Sequence, residues 1–139
     1  MENENIVNLG HWVYNKEVPA EFFGFVYLIT NNANGRKYIG KKQSVSRYRK
    51  PLKKGKKKRE IVMKQSDWMT YMGSCADLIA DIEKYGKSSF TFEILRFCNS
   101  KWELGYYEIR EQIDKNVLMD PLYYNGIINC RLCKLKQYR

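Results

Sequence analysis

The 139-residue chain has one histidine and three prolines, and between Lys41 and Arg59 it has no acidic residue. His11 stands alone beside Trp12 in a polar stretch, so it is expected at the surface or in packing, and chemistry built on histidine is not expected. There is no glycine-rich phosphate loop, no Gly-x-Ser-x-Gly elbow, no His-Glu-x-x-His and no internal repeat. The longest apolar run, Phe22 to Ile29, is far short of the roughly 20 residues a spanning helix needs. The start, Met1-Glu2-Asn3-Glu4-Asn5, has neither the basic stretch nor the apolar core of a signal peptide. A protein outside the membrane is expected, and the length leaves room for one core but not for separate catalytic and binding domains. At 44% hydrophobic and 14% aromatic, the chain has enough apolar surface to exclude global disorder.

Cysteine is also scarce. Cys75, Cys98, Cys130 and Cys133 occur without an export signal, which points to reduced thiols in a cytoplasmic setting and to no disulfide scaffold. Cys130-Arg131-Leu132-Cys133 has zinc-ligand spacing, but the second pair would have to be Cys75 and Cys98, which lie in separate predicted elements; zinc is not expected.

Positive charge is abundant and local. The net charge is +10, and eleven basic residues lie between Lys41 and Arg59: Lys41, Lys42, Arg47, Arg49, Lys50, Lys53, Lys54, Lys56, Lys57, Lys58 and Arg59. The remaining sequence carries 14 basic residues against 15 acidic ones. Such a block is a solvated stretch or the contact surface for a polyanion, and without an accompanying apolar stripe nucleic acid ranks ahead of a membrane surface.

Phe22 to Ile29 and Arg36 to Lys41 read as strands flanking an Asn34-Gly35 turn, a hairpin whose turn residues tolerate positive φ. The basic segment, broken by Pro51 and Gly55, reads as an extended or poorly ordered loop, and residues 66–71 as the start of a short helix stopped by Gly73. Ser74-Cys75-Ala76-Asp77 has the form of a capping box, followed by Leu78, Ile79, Ile82 and Tyr85 at helical spacing up to Gly86. Phe90, Phe92 and Ile94 at period two predict a third strand. A second box at Ser100-Lys101-Trp102-Glu103 opens a helix with Trp102, Tyr106, Ile109 and Ile113 on one side. The order is β-β-α-β-α, an α/β (α+β) arrangement of a small sheet flanked by helices. Three regions are expected: an N-terminal extension over 1–21, a domain over 22–128 with a basic insertion at 41–59, and a basic tail over 129–139.

Phe25-Val26-Tyr27, ten intervening residues and Tyr38-Ile39-Gly40 resemble the paired motif of the GIY-YIG nucleases, with the tyrosines eleven positions apart as in that family. The resemblance continues through Tyr71-Met72-Gly73-Ser74, Leu78, Tyr85-Gly86, Phe90, Ile94-Leu95, Glu108 and Tyr124-Asn125, in the order shown by small phage-encoded, homing-endonuclease-like members. It implies a three-stranded antiparallel sheet flanked by helices and metal-dependent hydrolysis of DNA phosphodiesters. By this likeness Tyr27 would activate the attacking water with Tyr38 as its partner, Glu108 would hold Mg²⁺ (or Mn²⁺), and Asn125 would support the site. Gly40 would let a phosphate approach, and the bacterial host cytoplasm would be the setting. The first motif has Phe25 where the family has glycine. The family's arginine has three candidates, Arg47, Arg49 and Arg59, of which position favours Arg49. Lys41 and Lys42 are candidates to favour a phenolate, and Gly40, Lys41, Lys42, Arg47, Lys53, Lys54, Lys56, Lys57, Lys58 and Arg59 are expected along the DNA.

Without the flanking motifs the hairpin tyrosines would read as packing residues and Asn125 as a turn residue. Glu108 lies away from the Trp102/Tyr106/Ile109/Ile113 side, near Leu104, so periodicity makes it a solvated glutamate; only the resemblance selects it over Glu103 and Glu111. The alternative function is a non-catalytic basic nucleic-acid-binding module.

In either case the charge block sets a salt dependence. If it lies along duplex phosphates, log affinity should fall against log salt with a slope of about −0.9 per phosphate neutralised. Serine at Lys53, Lys54, Lys56, Lys57 and Lys58 together should flatten that slope and weaken all sequences alike. Fluorescence anisotropy over a salt series measures both.

Overall fold

The hairpin is the centre of the molecule. The computed structural model describes residues 7–129 and 131–139, and at positions 46–49 the backbone alone. Strand β2 (Gly24–Asn31) runs antiparallel to β3 (Lys37–Gln43), with Tyr27 opposite Gly40 and Ile29 opposite Tyr38. The turn closes through Asn31, whose backbone N–H donates to the Arg36 carbonyl at 2.7 Å and whose carbonyl accepts from Gly35 at 2.7 Å; Gly35 takes the positive φ of 78° that the turn needs. On its other edge β2 pairs antiparallel with β6 (Phe90–Cys98), the strand expected from Phe90, Phe92 and Ile94.

The sheet is larger than the expected three antiparallel strands. Trp12–Val13 forms a short β1 parallel to β6, giving four strands in the order β1-β6-β2-β3. Two residues carry too little pattern to read as a strand; their place is set by the side chain of Trp12, which is 3% exposed and packs edge-on to Phe25 and Phe92. Its indole N–H donates to the Trp68 carbonyl at 2.5 Å, so the stretch expected to be an N-terminal extension contributes to the core.

The basic segment is not a loop throughout. It holds a separate two-stranded ribbon, β4 (Val45–Arg49) against β5 (Ile61–Gln65), joined by residues 50–60. Ladder bonding between the strands satisfies backbone groups that a charged loop would leave to water. The stretch from Ser66 is a turn and no helix forms there.

Helix α1 (Ala76–Tyr85) lies where its periodicity put it, but its N-cap is Cys75 and Ser74 makes no cap. Ser100 does cap α2 (Lys101–Asp114), accepting from the Glu103 N–H at 3.1 Å. The sheet is covered on both faces. Phe25, Tyr27, Ile29, Phe92 and Ile94 meet Trp12, Trp68 and the α1 residues Leu78 and Ile82. Val26, Ile39 and Cys98 meet Leu104 of α2 and Val117 beyond it.

The inward side of α2 is the reverse of that expected. Leu104, Gly105 and Gln112 are buried, while Tyr106 is 36% and Ile113 57% exposed. Trp102 and Tyr106 stack on one another at a centroid distance of 5.1 Å, and the Trp102 indole donates to the Cys133 carbonyl at 2.7 Å. The aromatic ridge therefore meets the C-terminal tail, and the stripe Leu104, Glu108, Gln112, four residues apart, faces the sheet. Periodicity failed because α2 packs on the sheet through Leu104 and the small Gly105 while Gln112 is drawn in by the Ile39 carbonyl at the edge of β3, so a polar residue takes an inward position. Cys98 is fully buried in β6, and Cys130 of the Cys-x-x-Cys pair lies outside the described residues.

Truncating Trp12 to alanine removes a buried indole from the meeting point of β1, β2, β6 and the Trp68 turn. Its unfolding free energy should fall by about 3–5 kcal/mol, read as a lower urea midpoint.

Candidate active site

Alternation along the strands puts Phe25, Tyr27 and Ile29 of β2 on one face with Tyr38, Gly40 and Lys42 of β3. Tyr27 and Tyr38 are diagonal neighbours, with ring centroids 6.2 Å apart. Gly40 makes this possible: a Cβ there would lie 2.5 Å from the Tyr27 Oη and 2.9 Å from Cε1 of Tyr38. The room left by the missing side chain is taken by the Tyr27 phenol itself.

A loop closes over the pair. Tyr71 meets Tyr27 edge to face at 6.2 Å, and Gly73, at a φ of 87°, would bring a Cβ within 3.6 Å of the Tyr27 hydroxyl. His11 holds this loop: its Nε2 bonds to the Tyr71 carbonyl at 2.9 Å and its ring stacks on Phe92 at 4.0 Å. Burial and the charge of Lys87 lower the His11 pKa to about 4, so the imidazole is neutral at pH 7 and serves in packing.

Glu108 meets β3 at Lys41, on the face away from the tyrosine rings. Its side chain is 14% exposed and its Oε1 lies 3.8 Å from the Lys41 Nζ. Burial raises its pKa, opposed by the Lys41 ammonium and the Lys41 backbone N–H. Burial likewise raises Tyr27 well above an ordinary phenol, with smaller contributions from Tyr38, Tyr71, Glu108 and Cys75. Tyr38 is raised by burial and by Cys75 and Glu108, while the Ser74 hydroxyl works the other way. Both tyrosines are therefore neutral phenols at pH 7.

Asn125 is held by the outer edge of β3. Its Oδ1 accepts from the Ile39 N–H at 3.0 Å and its Nδ2 donates to the Ile39 carbonyl at 2.8 Å, the two bonds a neighbouring strand would make. Gln112 donates to the same carbonyl at 3.0 Å. Next to Asn125, the Tyr124 hydroxyl donates to Asp81 of α1 at 2.6 Å, and Arg36 lies 4.0 Å over its ring. Gln112 escaped the sequence reading, although its spacing of four from Glu108 was available as a signal. Cys75, beside both tyrosines, left no such signal.

Lys42 is on the tyrosine face, 2.9 Å from Asp67 and 4.2 Å over the Tyr71 ring. The Lys42 ammonium holds the Asp67 carboxyl below its usual range. Arg47 and Arg49 stand on β4, opposite Met63 and Ile61, and their side chains lie outside the described residues. Lys53, Lys54, Lys56, Lys57, Lys58 and Arg59 are all exposed in the ribbon tip. Lys53 pairs with Glu60 at 3.9 Å, so part of the block's charge is answered by the first acid that follows it.

Among the described residues no group of three or more His, Cys, Asp or Glu side chains could enclose a metal. A hard cation such as Mg²⁺ can nevertheless be held by one or two carboxylates with water and phosphate completing its shell. Glu108, a partly desolvated single carboxylate, fits that kind of site and not a closed protein cage. No helix among the described residues is long and apolar enough to cross a membrane.

Residues 10–128 match the family model described as "Putative endonuclease segE, GIY-YIG domain". No curated protein and no solved structure matches the chain.

The raised pKa of Glu108 has a sign for stability. The folded state disfavours its anion, so stability falls as pH rises from the unfolded value, near 4.3, through the higher folded one. Glu108→Gln removes this fall; at pH 7 its Tm should equal or exceed that of the wild type, and the gap should close as pH drops below 4. Thermal unfolding by circular dichroism across pH checks it.

Proposed function

Because the chain belongs to the GIY-YIG endonuclease family and is a nuclease acting on DNA, we propose that Tyr27, Tyr38 and Glu108 form its hydrolytic centre, supported by Asn125. What supports this reading is the pairing of Tyr27 with Tyr38, ring centroids 6.2 Å apart around Gly40, together with a largely buried carboxylate, Glu108, held 3.8 Å from Lys41, the next residue of the same strand.

Hydrolysis of a phosphodiester requires a water deprotonated for attack and charge stabilisation on the phosphate. On this reading Tyr27 orients that water and takes its proton, and Tyr38 fixes the Tyr27 ring across the gap left by Gly40. At rest the Tyr27 hydroxyl is protonated, so its service as a base depends on nearby positive charge. A divalent ion at Glu108, Mg²⁺ or Mn²⁺, supplies charge against the phosphate and favours the phenolate when bound. Lys41 pairs with that carboxylate in its absence. Two further cations compete to stabilise the transition state: Arg49, by its position in the sequence, and Lys42, by its place on the tyrosine face. The Lys42 contact with the Tyr71 ring favours Lys42. Asn125 positions Ile39, and through it the strand that carries Tyr38 and Gly40.

Nicking of a supercoiled plasmid in Mg²⁺ or Mn²⁺, with chelator as control, tests the assignment. Tyr27→Phe should lose about 10²–10⁴ in turnover, and Glu108→Gln about 10²-fold or more, with DNA affinity retained in both. Lys42→Ala should lower turnover more than Arg49→Ala does. Wild-type rates in Tyr27→Phe overturn its role, loss at Glu111→Gln with none at Glu108→Gln overturns the choice of carboxylate, and tight binding without nicking leaves a non-catalytic basic module.

A further inference from the structure

The β4–β5 ribbon stands apart from the four-stranded sheet and carries a feature that phosphate contact does not require. Ile61 and Met63, two residues apart on β5 and so on one face, are 44% and 57% exposed, while Val62 between them is half-buried. In the ladder Arg47 is opposite Met63 and Arg49 is opposite Ile61. A solvated charged loop has no use for two exposed apolar residues held in register. Met63 also borders a cleft of about 560 Å³ with Phe23, Gln43, Val45 and Lys101, open between ribbon and body.

We infer that this ribbon enters the major groove of duplex DNA, with Ile61 and Met63 against base edges and the lysine-rich tip on the flanking phosphates. The inference rests on the reading of the chain as a nuclease acting on duplex DNA and gives that reading a means of choosing where to cut. Size permits it: the major groove is about 12 Å wide and admits a two-stranded ribbon, whose strands lie about 4.8 Å apart. Five paired residues at about 3.4 Å each reach roughly 17 Å, longer than the groove is deep, about 8.5 Å. Chemistry agrees. Cations at the tip neutralise the groove walls, and apolar side chains contact the thymine methyl, which only the major groove presents. Among the described residues Lys54, Lys56, Lys57, Lys58 and Arg59 make no ion pair within the chain.

The ribbon is also rooted near the site. Ser66 donates from its N–H to the Ser44 carbonyl at 2.9 Å and from its hydroxyl to the Gln43 carbonyl at 2.5 Å, tying the ribbon's base to the end of β3. Asp67, one residue on, holds Lys42. A ribbon in the groove thereby sets which phosphate reaches Tyr27. RNA duplexes offer no equivalent, because their major groove is too deep and narrow for side chains to read.

The test is Ile61→Ser with Met63→Ser, an exposed pair whose replacement leaves the core untouched. Two readouts keep the inference separate from the hydrolytic reading. Cleavage sites are mapped on a long linear DNA at limiting enzyme, where the variant should lose at least about fivefold in the ratio of favoured to disfavoured sites. Its salt slope should stay within about twofold of wild type, since the lysine-rich tip is unchanged. Protection of guanine N7, a major-groove atom, from dimethyl sulfate is measured on a short duplex saturated with Glu108→Gln protein, where adding the serine pair should abolish it. An unchanged site ranking, or unchanged N7 protection, overturns the ribbon's role even if cutting is robust. A wild-type chain that cuts nothing yet protects N7 through Ile61 and Met63 overturns the hydrolytic reading and upholds the ribbon.

Discussion

Ile39 is the residue on which the site depends, through its backbone and not its side chain. It lies on the outer edge of β3, where an unpaired N–H and C=O would be buried under α2 and the C-terminal segment at a cost of about 1–3 kcal/mol each. Asn125 answers both groups and Gln112 the carbonyl. Leu122 and Tyr124 do the same for Lys37 two residues earlier. Each of these bonds fixes something else. Gln112 fixes α2 against the edge of β3, and Glu108, one turn earlier, meets Lys41 of the same strand. Asn125 fixes the segment whose Tyr124 reaches Asp81 on α1. One strand edge thus aligns both helices with the hairpin.

The same arrangement explains why the site is costly to fold. Tyr27 is 1% exposed, Glu108 is drawn into a partly desolvated position, and both carry pKa values raised by burial. At neutral pH this costs stability at Glu108, whose anion is disfavoured, and not at Tyr27, which stays a neutral phenol. That cost is offset by the aromatic packing around the tyrosines, where Trp12, Phe25, Trp68, Tyr71 and Phe92 enclose the sheet face. His11 takes part as a clamp on the Tyr71 loop, consistent with its expected packing role.

The basic insertion follows a different logic from the core. Its strands pair with each other and leave the main sheet alone, so its residues are free of the volume constraints that govern packed interiors. Charge can accumulate there without desolvation, and Glu60 moderates it by pairing with Lys50 and Lys53. The domain therefore keeps a conventional interior balance of charge while presenting one concentrated cationic projection beside the end of β3.

Local pattern was enough for much of this protein. Turn residues at Asn34-Gly35, period-two apolar residues at Phe90, Phe92 and Ile94, and helical spacing from Leu78 to Ile82 gave the hairpin, third strand and first helix, because each is stabilised by contacts that alternate with the element's own period. The paired tyrosine motif, taken with the ordered series of residues from Tyr71 to Asn125, likewise pointed to the family. Three features could be decided only by tertiary structure. Trp12–Val13 became a strand because one buried indole anchors it, which leaves no periodic trace. The segment 45–65 became a ribbon because cross-strand bonding outweighs a composition that reads as loop. Above all, α2 turned its Leu104, Glu108 and Gln112 side inward, against its own hydrophobic period, because that side meets both the apolar sheet face and the Ile39 carbonyl at the edge of β3, and a backbone carbonyl is satisfied by a polar atom that no count of apolar residues can reveal.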